Sequence, residues 1–511
     1  MNGARSAAGI WPPATLRQRF DLSRPRESRA VSGLVDHFSW IFAVITILLE
    51  AIAVVLALRA ILIARTPQSA VGWCIGLLVF PIVAIPLFLV FGESRFSGYT
   101  RAGTGGSPEL DQALSETARY LEPFRASIPH PFLDGARIAE RLNGLPPVSG
   151  NTAALLIDGD ATFRAIFEAI DQARESVWVQ FFIIRDDGLG RELADRLLAA
   201  SSRGVRVLVL NDQVGSKDLP TTYRERLRAG GVRIECFVTN RQHGRRFQIN
   251  FRNHRKLVVC DGRVAFIGGL NVGDEYCGLK KRFGPWRDTH MRLEGPVVAA
   301  LEMSFLEDWN YVTKSLPHRS LRAEPVPAGT AAVLPIASGP AEEWSVGAAA
   351  ILSVIQDAQQ RLWMASPYFV PSSPLLHAIC HASLRGVDVR IILPKNPDHY
   401  LPWLSSFTYY PKLRAAGVKV WRYQPGFMHQ KVLLADDALS VVGSINLDYR
   451  SFMLNFELSA AVHDPAFAKT VEAKFLADFA RSVQEDLGRF EAGPLLFRLK
   501  CRAAALMSPE Q

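Results

Sequence analysis

The chain is short of the features that staple small proteins together. Among its 511 residues only six are cysteine (Cys74, Cys236, Cys260, Cys277, Cys380 and Cys501), they lie far apart, and no CxxC pair occurs. That excludes a disulfide scaffold and a zinc-finger spacing, and it fits reduced thiols in a cytosol-facing domain. Charge is scarce too: 21% of residues are charged against 49% apolar, and the mean hydropathy is +0.09. A disordered chain shows the opposite balance. The length exceeds one ordinary domain and points to two or three units of about 100–200 residues. Acids are outnumbered, 49 to 58 Lys+Arg, for a net charge of +9 and a pI near 9.3. Such a balance favours anionic partners (nucleic acid, anionic lipid, phosphate esters) without choosing among them.

What is present begins with two long apolar runs. Phe38–Leu58 is interrupted only by Glu50, and Ala70–Phe91 carries no charge at all. Each is long enough to cross about 30 Å of hydrocarbon as a helix, and a signal peptide would have a shorter apolar core followed by a cleavage site. Two transmembrane helices are therefore expected, at about 38–58 and 70–91, with Pro81 and Pro86 kinking the second. Arg5, Arg17, Arg19, Arg24, Arg26 and Arg29 precede the first run, while the connection holds only Arg59 and Arg65. The positive-inside rule places both ends in the cytoplasm. Glu50 is costly in a membrane if ionised, so it faces a protein interior or is protonated.

The rest of the chain repeats itself. Ile170–Val179 resembles Ile355–Met364, Arg203–Val207 matches Arg385–Val389, and Leu227–Val232 matches Leu413–Val418, in order and at an offset of about 185 residues. Each copy alternates helical stretches (Ala161–Arg174, Arg191–Ser202) with Val/Ile/Leu-rich strands (Val177–Ile184, Val205–Leu210), the pattern of α/β units. Ser97–Pro108 reads as a linker and Pro325–Pro340 as the boundary between copies. The expected organisation is a basic tail 1–36, the membrane hairpin 37–92, a lead-in 93–150, α/β domains 151–324 and 325–490 related by a pseudo-two-fold, and a tail 491–511. The basic stretch Arg241–Phe247 is an insertion of the first copy that either touches headgroups or forms a solvated loop. Leu495–Arg502 mixes apolar and basic residues, which suits a plain helix end or a membrane surface.

Both copies carry one polar pattern, HxKx4Dx6G(G/S)xN: His254, Lys256, Asp261 and Asn271 in the first, His429, Lys431, Asp436 and Asn446 in the second. On a strand, residues two apart share a face, so His and Lys project together. Asp261-Gly262 between apolar runs is a type I′ hairpin signal whose returning strand brings Asn271 toward the His–Lys end. Two such rims suit phosphoryl chemistry. Lys256, Lys431, Asn271 and Asn446 can hold the non-bridging oxygens, while one histidine attacks phosphorus and the other protonates the leaving alcohol. No metal and no cofactor is expected, because lysine is not an ordinary ligand and no carboxylate stands at ligand spacing. A nucleophilic histidine needs an acceptor on its second nitrogen. The candidates are Asp288 after His254 in the first copy and Glu457 after His429 in the second; Arg287 and Asn455 read as surface or turn residues. At a turn, Asp261 is placed to satisfy backbone donors rather than to do chemistry.

This doubled pattern resembles that of the phospholipase D superfamily. More narrowly, FRNHRKLVVCDGRVAFIGGLNVGDEYCG, GPWRDTHMRLEGP, SPYFVP and FMHQKVLLADDALSVVGSINLDYRSFMLNFEL, with RTPQSAVGW at the second apolar run, resemble the membrane-anchored bacterial cardiolipin synthases. The resemblance implies phosphatidyl transfer between two phosphatidylglycerol molecules, giving cardiolipin and glycerol. It implies a phosphohistidine on His254, His429 as acid and then base, and Asp261 and Asp436 carried with the catalytic motif. It also implies a bacterial inner-membrane location with the catalytic domains facing the cytoplasm. The partners expected are phosphatidylglycerol, other anionic phospholipid and the bilayer, with no nucleic acid. The departure is Gly269, where the second copy has Ser444. Rival readings are a hydrolase releasing phosphatidic acid, a transferase using another alcohol, a nucleic-acid phosphodiesterase and a non-enzymatic membrane scaffold. Base-stacking aromatics beside the motifs are not obvious, and neither His–Lys pair has decayed.

Overall fold

The computed structural model describes residues 27–64, 66–92, 96, 99, 107–239, 250–317 and 326–507. The basic stretch Arg241–Phe247 and most of the linker Ser97–Pro108 lie outside them. By its contacts the chain divides into two units, residues 1–62 with 66–86 and residues 63–65 with 87–511.

The first apolar run forms one continuous helix, Glu27–Ile63, whose segment Phe38–Ile63 is long and apolar enough to cross a membrane. Glu50 lies exposed on it. The second run is not one unbroken helix. It divides into Pro67–Val79 and Pro81–Phe91, separated at Phe80, which leaves helical geometry at φ −131°, ψ 57°. Pro81 is the cause: it has no N–H to continue the ladder, and its ring disfavours the α conformation of the residue before it. At about 1.5 Å per residue neither piece alone reaches the thickness of a bilayer core. The break expected at Pro81 is thus present, after one continuous apolar helix.

In the larger unit both repeats contribute to one 16-stranded sheet. From one edge inward the first repeat places Arg233–Phe237, Arg206–Asp212, Ser176–Phe181, Leu257–Cys260, Val264–Gly268, Thr289–Glu294 and Val148–Ile157. The second repeats this order outward as Ala331–Ser338, Asn455–His463, Leu439–Gly443, Val432–Ala435, Arg361–Ala365, Asp388–Pro394 and Lys419–Tyr423, closed by Ser482–Gln484. The three outer strands of each repeat pair in parallel and the inner ones antiparallel, while the closing strand Ser482–Gln484 is antiparallel, so the sheet is mixed, with helices such as Asp158–Gln172 and Ser373–Leu384 packed on it.

The two halves join where Val148–Ile157 pairs antiparallel with Ala331–Ser338. The register slips there, and Asn151 absorbs the slip. Its Nδ2 donates to the carbonyls of Val148 (2.7 Å) and Ala331 (3.1 Å), and its Oδ1 accepts from Val297 N (2.8 Å). Pro325–Pro340, read as a boundary, thus contains a central strand, with Val333 and Ile336 fully buried. Pro335 and the small residues around it disguised that strand, since proline usually marks an edge or an end. The hairpin after Lys256 has positive φ at both Asp261 (54°) and Gly262 (60°), as a type I′ turn demands, and Arg263 N closes it on Cys260 O at 3.0 Å.

Candidate active site

Each histidine is hung on the backbone of the other repeat. Arg252–Asn253 pairs in parallel with Asn455 and Phe456, and the next residue, His254, donates its N–H to Phe456 O at 2.9 Å. Phe427–Met428 pairs in parallel with Trp286–Arg287, and His429 N donates to Arg287 O at 2.8 Å. The residue following each borrowed strand is a carboxylate, which therefore lands on the histidine of the opposite copy. His254 Nδ1 lies 3.0 Å from Glu457 Oε2, and His429 Nδ1 lies 2.9 Å from Asp288 Oδ2. The two acceptors are those expected from sequence, but the pairing within each copy is corrected to a crossed one. Strand exchange between repeats decides it, and a linear sequence does not show strand exchange.

The two carboxylates live in different fields. Both are fully buried. Burial pushes Glu457 up to about 7, against the pull of Lys256 and of hydrogen bonds from Ser444, Asn455 and Ser451. Ser451 Oγ donates at 2.9 Å and Asn455 Nδ2 at 3.1 Å. Burial also works to raise Asp288, but the hydrogen bond with His429 and the charge of Lys431 outweigh it, so this carboxyl sits below its usual value. His254 is driven well below the usual histidine value by burial and then by Lys256, Lys431, His429 and Arg450. His429 is lowered by burial and Lys431, while Asp288 and Asp398 pull it back up.

Lys256 Nζ donates to His254 O at 2.6 Å, and Lys431 Nζ stands 3.0 Å from His429 Nε2. Both ammonium groups are buried; burial lowers Lys256 and brings Lys431 to about 8. An anion seated between them would restore their charge, which is the behaviour of a phosphate site. Asn271 and Asn446 join His254 and His429 in the wall of an open cleft of about 1470 Å³. Asn271 Oδ1 accepts from Ile183 N at 3.2 Å, and Asn446 Oδ1 is buried with no hydrogen-bond partner among the described residues.

The motif aspartates are elsewhere. Asp261 accepts from the backbone N–H groups of Arg174, Glu175 and Ser176, and Asp436 from those of Gln359, Gln360 and Arg361. Neither lines the cleft. Their place in the catalytic set is corrected to that of anchors tying the hairpin to the head of a neighbouring strand. Arg287 and Asn455 are buried rather than surface residues: Arg287 Nε donates to Asp478 at 2.8 Å across the repeats, and Asn455 serves Glu457. Gly269 is explained as well. A Cβ there would sit 2.1 Å from Asp288 Oδ1, whereas Ser444 has room and donates to Glu457.

Sequence reasoning missed Arg252 and Arg450 on the His254 side of the cleft and Tyr276, Trp286, Tyr368 and Asp398 on the other. Arg252, Tyr276 and Trp286 lie within the segments that carry the family resemblance, yet side-chain direction was not readable there. Asp398 lies in an unrelated loop with no motif to announce it.

Two interlocked α/β repeats with crossed His–carboxylate pairs define a phospholipase D-like protein. A family model described as "Cardiolipin synthase, PLD-like domain" matches residues 166–281 and 351–479. Cardiolipin synthase A of Pseudomonas entomophila (strain L48) is 41% identical over 484 residues, covering 93% of this chain and 99% of its own length. Cardiolipin synthase A of Pseudomonas syringae pv. syringae (strain B728a) is 43% identical over 455 residues, covering 89% of this chain and 95% of its own. The crystal structure of phosphatidylserine synthase from Haemophilus influenzae Rd KW20 shares the fold, at a TM-score of 0.58 and 16% identity over 74% of this chain and 100% of that one. The chain belongs to the cardiolipin synthase family.

Proposed function

We propose that this protein transfers the phosphatidyl group of one phosphatidylglycerol to a second, forming cardiolipin and releasing glycerol. The observation that carries the proposal is the convergence, on one cleft, of two carboxylate-oriented histidines with two buried lysines. With Nδ1–H donated to its carboxylate, each ring presents Nε2 to the cleft. His254, kept neutral by burial and surrounding cations, attacks phosphorus; His429, backed by an ionised Asp288, gives its proton to the departing glycerol oxygen as the P–O bond breaks. A hydroxyl of the second phosphatidylglycerol then loses its proton to His429 and attacks, and the N–P bond breaks. Lys256, Lys431, Asn271 and Asn446 hold the non-bridging oxygens through both steps.

The apolar helix Phe38–Ile63 makes the protein membrane-associated. We place the catalytic repeats, bounded as 151–324 and 325–490, on the cytoplasmic side of a bacterial inner membrane, on the strength of the arginines ahead of the helix. The decisive assay supplies phosphatidylglycerol as the only lipid, in mixed micelles with EDTA, and separates products by mass. Cardiolipin with equimolar glycerol is expected. Phosphatidic acid in its place would make the protein a hydrolase, and a phosphatidyl adduct trapped on His429 would reverse the two histidine roles.

A further inference from the structure

The helix Leu495–Leu506 (LLFRLKCRAAAL) turns Phe497, Cys501 and Ala504 inward; the last two are buried and the Phe497 ring lies 5.3 Å from that of Phe407. At about 100° per residue, Leu495, Leu499 and Leu506 fall on the opposite side. They are 70%, 55% and 82% exposed, and Leu496 beside them is 64% exposed. Arg498, Lys500 and Arg502 are exposed among them, and the helix has no acid. A helix on a water-facing surface keeps its leucines inside and its polar residues outside; here both faces are apolar. The helix packs against Tyr400–Ser406. Tyr400 and Leu401 of that segment are 68% and 50% exposed, and with Pro402 they line the cleft that holds His254 and His429.

An apolar ridge thus joins the rim of the cleft to a cationic helix. We propose that this ridge is an interfacial docking surface for an anionic bilayer: leucines enter the headgroup–acyl boundary, cations meet lipid phosphates, and the cleft mouth is held against the leaflet. Two observations select a lipid surface. The charge of the helix is of one sign, complementary to anionic headgroups. The ridge is also continuous with the wall of a cleft whose substrate, on the function proposed above, is itself an anionic lipid; the inference rests on that reading. Docking spares the substrate a full exit into water, since withdrawing each CH₂ of an acyl chain from the bilayer forfeits its hydrophobic burial.

The test uses the full chain in proteoliposomes, comparing the wild type with Leu495→Asp/Leu499→Asp and with Arg498→Glu/Lys500→Glu/Arg502→Glu. Two substrates are supplied: long-chain phosphatidylglycerol within the bilayer, and dihexanoyl phosphatidylglycerol dispersed in water below its micelle concentration over zwitterionic liposomes. Both variants are expected to lose about tenfold or more on the bilayer substrate and to match the wild type on the dispersed one, with unchanged unfolding midpoints. Undiminished turnover of the bilayer substrate in both variants overturns the proposal, as does an equal loss on both substrates, which would mean damage to the site. Loss in the leucine variant alone overturns the anionic character of the partner. A wild type that makes no cardiolipin from either substrate would refute the transferase reading instead.

Discussion

The two halves of the cleft share a motif, a strand order and a crossed partner, yet their electrostatics differ. On one side Glu457 is raised to about 7 and accepts from Ser444, Ser451, Asn455 and His254. Arg252 and Arg450 line the same side. On the other, Asp288 is held low, the Trp286 ring lies 5.3 Å from His429, and Tyr276, Tyr368 and Asp398 complete the wall. A duplicated backbone thus holds two histidines that are both lowered by burial, beside carboxylates shifted in opposite directions. On the proposed mechanism the histidine beside the raised Glu457 attacks and the one beside the low Asp288 carries the proton, and the step from Gly269 to Ser444 is one visible origin of the divergence between the carboxylates.

The comparison can be broken most severely at the histidines. His254→Ala and His429→Ala should each lower turnover by about 10³-fold or more, since the nucleophile and the proton carrier act as a unit. With a phosphatidyl adduct as readout, the halves should separate: the adduct forms slowly in His429→Ala and never in His254→Ala. Next come the carboxylates. Asp288→Asn should cost about 10²–10³-fold in kcat at every pH, because an ionised acceptor is lost. Glu457→Gln should cost less near neutrality and should flatten an acid limb with a midpoint near 7, where Glu457 takes up a proton and stops accepting as a carboxylate. The pH–rate profiles of the two variants decide this.

The same shift acts on stability with the opposite sign. A carboxyl whose pKa rises on folding, here from 4.5 to about 7, contributes stability that is full below 4.5 and is lost as pH rises through 7. Denaturant midpoints at pH 5 and pH 8 should therefore differ more in the wild type than in Glu457→Gln.

Making the halves alike is a milder intervention. Gly269→Ser should push Asp288 off His429 at a cost of about 1–3 kcal/mol in stability, together with a fall in kcat, whereas Ser444→Gly should lose only the hydrogen bond to Glu457, about 1–2 kcal/mol. Equal effects of the two swaps would show that the asymmetry at this position is incidental. The smallest difference is expected at the turns. Asp261→Ala and Asp436→Ala should each lower stability by about 1–3 kcal/mol through three unanchored N–H groups, with kcat of the folded protein unchanged. A large kcat loss in either would return these residues to the reacting set.

The sequence by itself determined the duplication, the α/β alternation, the apolar helix, and the residues His254, Lys256, His429, Lys431, Asp288 and Glu457 as a set. Those features depend on periodicity and local pattern, and the motif is stated twice, once in each copy. The turn role of Asp261 was legible for the same reason: positive φ and a carboxylate at a hairpin are local facts. Only the tertiary structure decided which carboxylate serves which histidine, because Asn455 and Phe456 pair with Arg252 and Asn253 some two hundred residues away. It also decided that Ala331–Ser338 is a central strand despite Pro335 and that Arg287 reaches Asp478 across the repeats. Local propensity sets what a segment can become. Contacts between distant segments set which of those possibilities meet at one phosphate-sized point, and here the exchange of short strands between repeats makes that choice.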